Sequence, residues 1–199
     1  MNMSEWFGDA PQLVIKTPAT SANMGPGFDC LGMAVDLHNE LWVKRLADGE
    51  SSSITVEGYG AGNSETLDNL IYRTYVDAMH QIGREVVPVA LHCVNRVPFA
   101  RGLGSSSAAA VSGLVLAQLM SEGAFSKDDL MQMATAIDGH PDNVLPALLG
   151  GIVIGCMTED NRVVARKMQP LQGLYAYALI PDYPLPTSKA RAAMPDGYS

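Results

Sequence analysis

Residues 98–108 read Pro98-Phe99-Ala100-Arg101-Gly102-Leu103-Gly104-Ser105-Ser106-Ser107-Ala108, and what stands on either side of them sets the architecture. Before them, Val89 to Val94 is an apolar run that predicts a strand. After them, Ala109 to Ala117 is apolar nearly all round, which predicts a buried helix. Between strand and helix lies a turn with two glycines and three hydroxyls, which is what a polyphosphate needs. Glycines allow close backbone approach and positive φ, so that successive N–H groups converge on one anion. The helix start adds unpaired N–H groups and the positive end of the dipole. A serine hydroxyl there can ligate the Mg²⁺ that a nucleotide carries.

Other readings of the turn fit less well. No Lys follows the last glycine, so it is not a Walker loop, and Gly102-x-Gly104 lacks the third glycine of a dinucleotide fingerprint. Gly104-Ser105-Ser106-Ser107-Ala108 comes close to the elbow of serine hydrolases, with Asp138 and His140 downstream in hydrolase order. An acid two residues from the imidazole is badly spaced to grip its far side, and the final elbow glycine is missing. A plain helix cap accounts for one serine, but not for three behind Gly-Leu-Gly. Phosphate binding is the favoured reading.

The 199 residues suffice for one large domain, or one domain and part of another. With 47% hydrophobic and 17% charged residues the chain is globular rather than disordered. A net charge of −8 without any Lys/Arg cluster argues against nucleic acid as a partner. Backbone amides and a metal can still carry a phosphate. Cys30, Cys93 and Cys156 match no disulfide framework or metal spacing. Met1 to Gln12 lacks the apolar core of a signal peptide, and the stretch around Ala108 to Met120 is too short to span a bilayer. The expectation is a cytoplasmic protein without a membrane partner.

In chain order, residues 1–12 read as a loose leader. Leu13 to Ile15 begins a strand that runs into a shaped loop, Thr17 to Gly32, where Gly25-Pro26-Gly27 forces a tight turn with Asn23 and Asp29 on its flanks. On composition alone, these two side chains bond their own backbone. Val35 to Val43 and Ile54 to Val56 read as strands, and Gly58 to Gly62 as a flexible connection. Asp68 to Gln81 is helical with Asp68 as N-cap. Ser126 to Asp129 resembles a capping box before a helix with Leu130, Met133, Ala134 and Ile137 on one face. That helix delivers Asp138-Gly139-His140-Pro141-Asp142-Asn143, with Pro141 suited to the first turn of the next helix. A solvated turn would explain this cluster, and so would a magnesium site beside a phosphate loop. Gly150 to Gly155 and Leu174 to Ile180 read as strands, and Lys189 to Ala193 as a short helix.

Three stretches together resemble the homoserine kinases of the GHMP small-molecule kinase superfamily. They are Pro-Ala-Thr-Ser-Ala-Asn-x-Gly-Pro-Gly-Phe-Asp-x-Leu-Gly at 18–32, Pro-x-x-x-Gly-Leu-Gly-Ser-Ser-Ser-Ala at 98–108, and Gly-His-Pro-Asp-Asn-Val at 139–144. The glycine loop alone points to the superfamily, and the first stretch is the more specific to homoserine kinases. The resemblance implies an α+β fold with a GHMP N-terminal domain, of the kind seen in ribosomal protein S5 domain 2, over residues 13–168. Residues 169–199 would begin a truncated ferredoxin-like C-terminal domain.

It further implies ATP across Pro98 to Ala108, with Asn69 near adenine, and Mg²⁺ on Ser106 and Asp138. The family carries glutamate where this chain has Asp138, one methylene shorter. L-homoserine would lie against Asn23, Asp29, His140 and Asn143, with Asp29 toward its ammonium and Arg191 toward its carboxylate. The implied reaction moves the ATP γ-phosphoryl group to the homoserine side-chain hydroxyl, a step toward threonine, with no side-chain base assigned. A homodimer is a candidate assembly, and the chain alone is expected to be a fragment with little or no activity.

Overall fold

The computed structural model describes residues 2–8, 13–173, 175–185 and 187–193, without the side chains of Thr187, Ser188 and Arg191. The elements run α1 (Met3–Phe7), β1 (Leu13–Ala22), β2 (Leu31–Arg45), β3 (Ser53–Gly58), α2 (Leu70–Gln81), β4 (Val89–Asn95), α3 (Ser105–Met120), α4 (Lys127–Asp138), α5 (Pro141–Leu149), β5 (Ile152–Met157), β6 (Val163–Met168) and α6 (Thr187–Ala192). The strands form one sheet in the order β3-β4-β2-β5-β6, with β1 paired to β2. Among the described residues only β3 and β4 run parallel, and the crossover that a parallel pair requires is made through α2. This is the mixed α+β architecture expected.

Helix α3 is the centre of the molecule. It packs against β1, α2, α4 and α5, so it is buried on all sides rather than along one stripe. Leu114 and Leu116 are fully buried, and truncating either to Ala should cost about 2–5 kcal/mol. Small residues let its neighbours come close. A Cβ on Gly113 would sit 2.5 Å from the Ile71 carbonyl oxygen and 2.7 Å from Thr74 Cβ of α2. Gly32 does the same for α5, since a Cβ there would fall 1.7 Å from the Asp142 carbonyl oxygen.

Four expectations are corrected. The first residues are not a loose leader: Asn2 caps α1, and Phe7 is fully buried against Trp42 and Val94 on the far side of the sheet. An aromatic that can reach an uncovered sheet face docks there, whatever its position in the chain. Residues 17–22 are strand rather than loop, because β1 stays paired with β2 from Leu13↔Val43 to Ala22↔Gly32. Pro18, which lacks an N–H, is absorbed at a register shift between Pro18 and Ala19. The cap of α2 is Asn69 and not Asp68, which instead pairs with Arg73 at 3.1 Å. Residues 175–180 form no strand. Tyr175, Tyr177 and Leu179 are 80%, 91% and 97% exposed, because an apolar run without a neighbouring edge has no ladder to join. The strand that would begin a ferredoxin-like part is therefore not formed by residues 175–180. Strand β6 went unread in the sequence, where Arg166 and Lys167 mask it.

The capping box at Ser126 and Asp129 is present with both of its bonds, and Pro141 opens α5. No helix among the described residues is long and apolar enough to cross a membrane.

Candidate functional site

Three of these segments meet at one cavity of about 890 Å³. Phe99 to Ser107 form one wall, the end of β1 with Asn23 another, and Asp138 to Asn143 a third. Asn69 and the turn before it close the fourth side. Pro98 and Ala108 are buried behind the glycine loop.

The loop takes its form from two glycines and one close neighbour. Gly102 and Gly104 have φ of +70° and +62°, and Gly104 is the N-cap of α3. A Cβ on Gly104 would fall 2.0 Å from Thr20 Oγ1, so only glycine fits between β1 and the helix. Thr20 is fully buried and ties three parts together. Its N–H donates to the Leu103 carbonyl at 3.1 Å, and its hydroxyl donates to Asn143 Oδ1 at 2.7 Å. The latter bond orients the Asn143 amide, whose Nδ2 in turn donates to Asp142 Oδ1 at 3.5 Å. The first turn of α3 follows without a side-chain cap, leaving its N–H groups to an anion.

Between the glycine-loop wall and the one formed by residues 138–143, Ser107 donates to Asp138 Oδ2 at 2.9 Å, and the exposed Ser106 hydroxyl lies 3.5 Å from Asp138 Oδ1. Both hydroxyls are turned to a carboxylate rather than to an imidazole, which removes the ground for a hydrolase elbow. Adjacent ligands in an octahedral Mg²⁺ shell, each about 2.1 Å from the metal, stand about 3 Å apart. Ser106 Oγ and Asp138 Oδ1 have close to that separation, with Ser107 holding the carboxylate from behind. A hydroxyl and a carboxylate fit a hard, oxygen-seeking cation that keeps most of its water and a phosphate as further ligands. No group of three or more His, Cys, Asp or Glu able to hold a metal occurs among the described residues.

Asn23 has φ +57° and both ends of its amide occupied: Nδ2 donates to Asp142 Oδ2 at 2.9 Å, and Oδ1 accepts from the Asp29 N–H at 2.9 Å. It braces the turn against α5. Asp29, with φ +56°, is half-buried and stands beside the cavity rather than on its wall. His140 and Asn143 line it, as expected. The side chain of Arg191 lies outside the described residues, but the adjacent Ala190 is on the cavity wall. Asn69 accepts from the Ile71 N–H at 2.9 Å and donates to the Ser64 carbonyl at 2.9 Å, so it holds the turn in front of α2. Asn69→Ala should lower stability by about 1 kcal/mol, read as the midpoint of urea unfolding, because both the cap and that tether are lost.

Asp142 is among the residues of the site that were not singled out in the sequence. It is only 2% exposed yet lines the cavity. Burial pushes its carboxyl above the ordinary value; His140 offsets part of this, while Asp29 and Asp138 push it further. An acidic residue in the first turn of a helix is common, so nothing in Pro141-Asp142 signalled burial. A carboxyl raised on folding contributes stability when protonated and loses it as pH climbs from the unfolded value through the raised one. Asp142→Asn should therefore melt about 1–3 °C above the parent at pH 7, with the gap closing toward pH 4. An amide oxygen at that position can still accept from Asn23. A variant that melted lower at pH 7 and gained on the parent only in acid would contradict the sign.

Residues 69–151 match the family model for the GHMP kinases N terminal domain. A homoserine kinase of Desulfitobacterium hafniense is 42% identical over 186 residues, which cover 93% of this chain and 61% of that protein. The crystal structure of a homoserine kinase from Cytophaga hutchinsonii superposes with a TM-score of 0.81 at 25% identity, over 96% of this chain and 62% of the other. A mevalonate kinase of Methanococcus jannaschii shares the fold, with a TM-score of 0.62 at 12% identity over 81% of this chain and 57% of its own. The chain thus spans about three fifths of the length of the homoserine kinases it matches. Over that length it resembles the N-terminal portion of the homoserine kinases, with residues 69–151 matching the GHMP kinases N terminal domain model.

Proposed function

We propose that this chain is the nucleotide-binding part, with much of the acceptor wall, of an enzyme that transfers the γ-phosphoryl group of ATP to the side-chain hydroxyl of L-homoserine. The observation that carries the reading is the meeting of the glycine loop, the Ser106–Asp138 pair and the 139–144 turn at one cavity. The likeness to homoserine kinases selects the acceptor.

In this reading the N–H groups of the loop and of the first turn of α3 hold the phosphates, and Asn69 shapes the adenine side. Ser106 and Asp138 would hold Mg²⁺, which when bound neutralises phosphate charge. Asn143, oriented by Thr20 and turned by its Nδ2 toward Asp142, would offer its remaining amide N–H to an acceptor oxygen. Asp29 and His140 flank the acceptor, and Arg191 is assigned to its carboxylate. Such transfer depends on alignment and charge stabilisation more than on covalent help from the protein. No side chain is assigned as base. Residues 13–168 are read as the nucleotide domain, and residues 169–199 as the incomplete beginning of a C-terminal domain.

The test is ADP release from Mg·ATP with and without L-homoserine, on the 199-residue chain and on a chain extended to the length of its relatives. Homoserine-dependent release from the extended chain, and little from the shorter one, is the expected result. Release driven equally well by mevalonate would shift the assignment to another kinase of the superfamily. Silence from both folded chains, with nucleotide binding retained, would leave a binding remnant instead.

A further inference from the structure

Beyond β6 the chain runs Pro181-Asp182-Tyr183-Pro184-Leu185-Pro186 before reaching α6. It touches the glycine loop at two points. The Leu185 N–H donates to the Ala100 carbonyl at 2.7 Å, and the Arg101 guanidinium donates to the Pro181 carbonyl. Pro181 and Leu185 thereby become part of the cavity wall.

The rest of the loop is anchored elsewhere. Thr20 holds Leu103 and Gly104 from β1, and Phe99 leans on Tyr59 with ring centroids 6.2 Å apart. Between those anchors the apex is in an unfavourable form. Ala100 has φ +53°, which a residue with a Cβ seldom adopts, and the exposed Gly102 has open space around its Cα. The bonds from 181–185 fall on this apex. Pro184 and Pro186 carry no N–H, so the Leu185 N–H that meets Ala100 is the single backbone donor of the triplet.

We propose that residues 181–185 are a strap that positions the nucleotide loop, with the Leu185 N–H and Arg101 as its positioning groups. This rests on reading the loop as the nucleotide site. A loop already held at its apex has little order left to gain on binding, so the strap acts on nucleotide affinity. Ala190 of α6, further along the chain, lines the same cavity.

Leu185→Pro removes the N–H in a segment whose flanking prolines already favour an extended backbone, and Leu185→Met keeps both the N–H and the apolar volume. Each is compared with the parent 199-residue chain by calorimetric titration with Mg·ADP and by hydrogen exchange at the amides of residues 99–102. For Leu185→Pro the expected result is Mg·ADP binding about five- to tenfold weaker and faster exchange at Arg101 and Gly102, with an unchanged melting midpoint. Leu185→Met should match the parent in all three. Exchange that does not change in Leu185→Pro overturns the proposal, as does faster exchange with affinity held within twofold. If the parent itself binds no Mg·ADP, the nucleotide reading fails, and exchange alone decides whether the strap holds the loop.

Discussion

Gly104→Ala should abolish nucleotide binding and lower the melting midpoint by about 5–15 °C, the largest effect expected of any single methyl group in the site. Two costs add at this position. The left-handed backbone at φ +62° costs a residue with a Cβ about 1–2 kcal/mol. The new methyl would also fall 2.0 Å from Thr20 Oγ1 and 3.0 Å from Asn143 Oδ1, and overpacking of that kind costs about 1–3 kcal/mol. Thr20 cannot step aside, because it is fully buried in a strand paired along its whole length. The helix start must move instead, taking the phosphate-facing N–H groups with it. Adding Thr20→Ala to the variant removes the nearest clashing atom, so the pair should melt above Gly104→Ala alone while both still fail to bind Mg·ADP. That non-additivity, measured as a double-mutant cycle, separates the clash from the backbone cost. A Gly104→Ala chain that melts within 1 °C of the parent would show that the loop is not packed against β1 as described.

Much of this was legible in the sequence where local chemistry decides alone. The Ser126 box, Pro141 at a helix start and the glycine turn each specify their own backbone, and each formed as expected. The reading failed where a distant partner decides. Thr17 to Ala22 reads as loop by its small polar residues and Pro18, but the long strand β2 offers an edge along which it pairs. Leu174 to Ile180 reads as strand by its apolar side chains, but residues 175–180 find no edge. The site divides the same way. Ser106, Asp138, His140 and Asn143 announce themselves by motif. Thr20, Asp142 and Leu185 act through burial or through a backbone N–H, and neither can be read from residue type.

The removal of one carboxylate oxygen tests the metal assignment without disturbing the fold. Asp138→Asn should cut homoserine-dependent turnover of the extended chain by about 10²- to 10³-fold, the usual price of losing a charge-stabilising group. The structural part of the residue survives, because an amide oxygen can still accept the Ser107 hydroxyl that now lies 2.9 Å from Oδ2. What is lost is the negative charge at Oδ1, opposite Ser106. The midpoint of melting should therefore stay within about 2 °C of the parent. Metal dependence gives the second readout: Mg²⁺ should tighten ATP binding in the parent and do so less in the variant. Asp138→Glu restores the charge one methylene further out, as the family resemblance implies, and should keep measurable turnover. Ser107→Ala then asks whether the carboxylate needs its backing. It should leave ATP binding intact while raising the Mg²⁺ concentration needed for half-maximal rate, since an unheld Asp138 must be ordered by the metal itself. Turnover of Asp138→Asn within twofold of the parent would remove Asp138 from the metal site and leave Ser106 without a partner there.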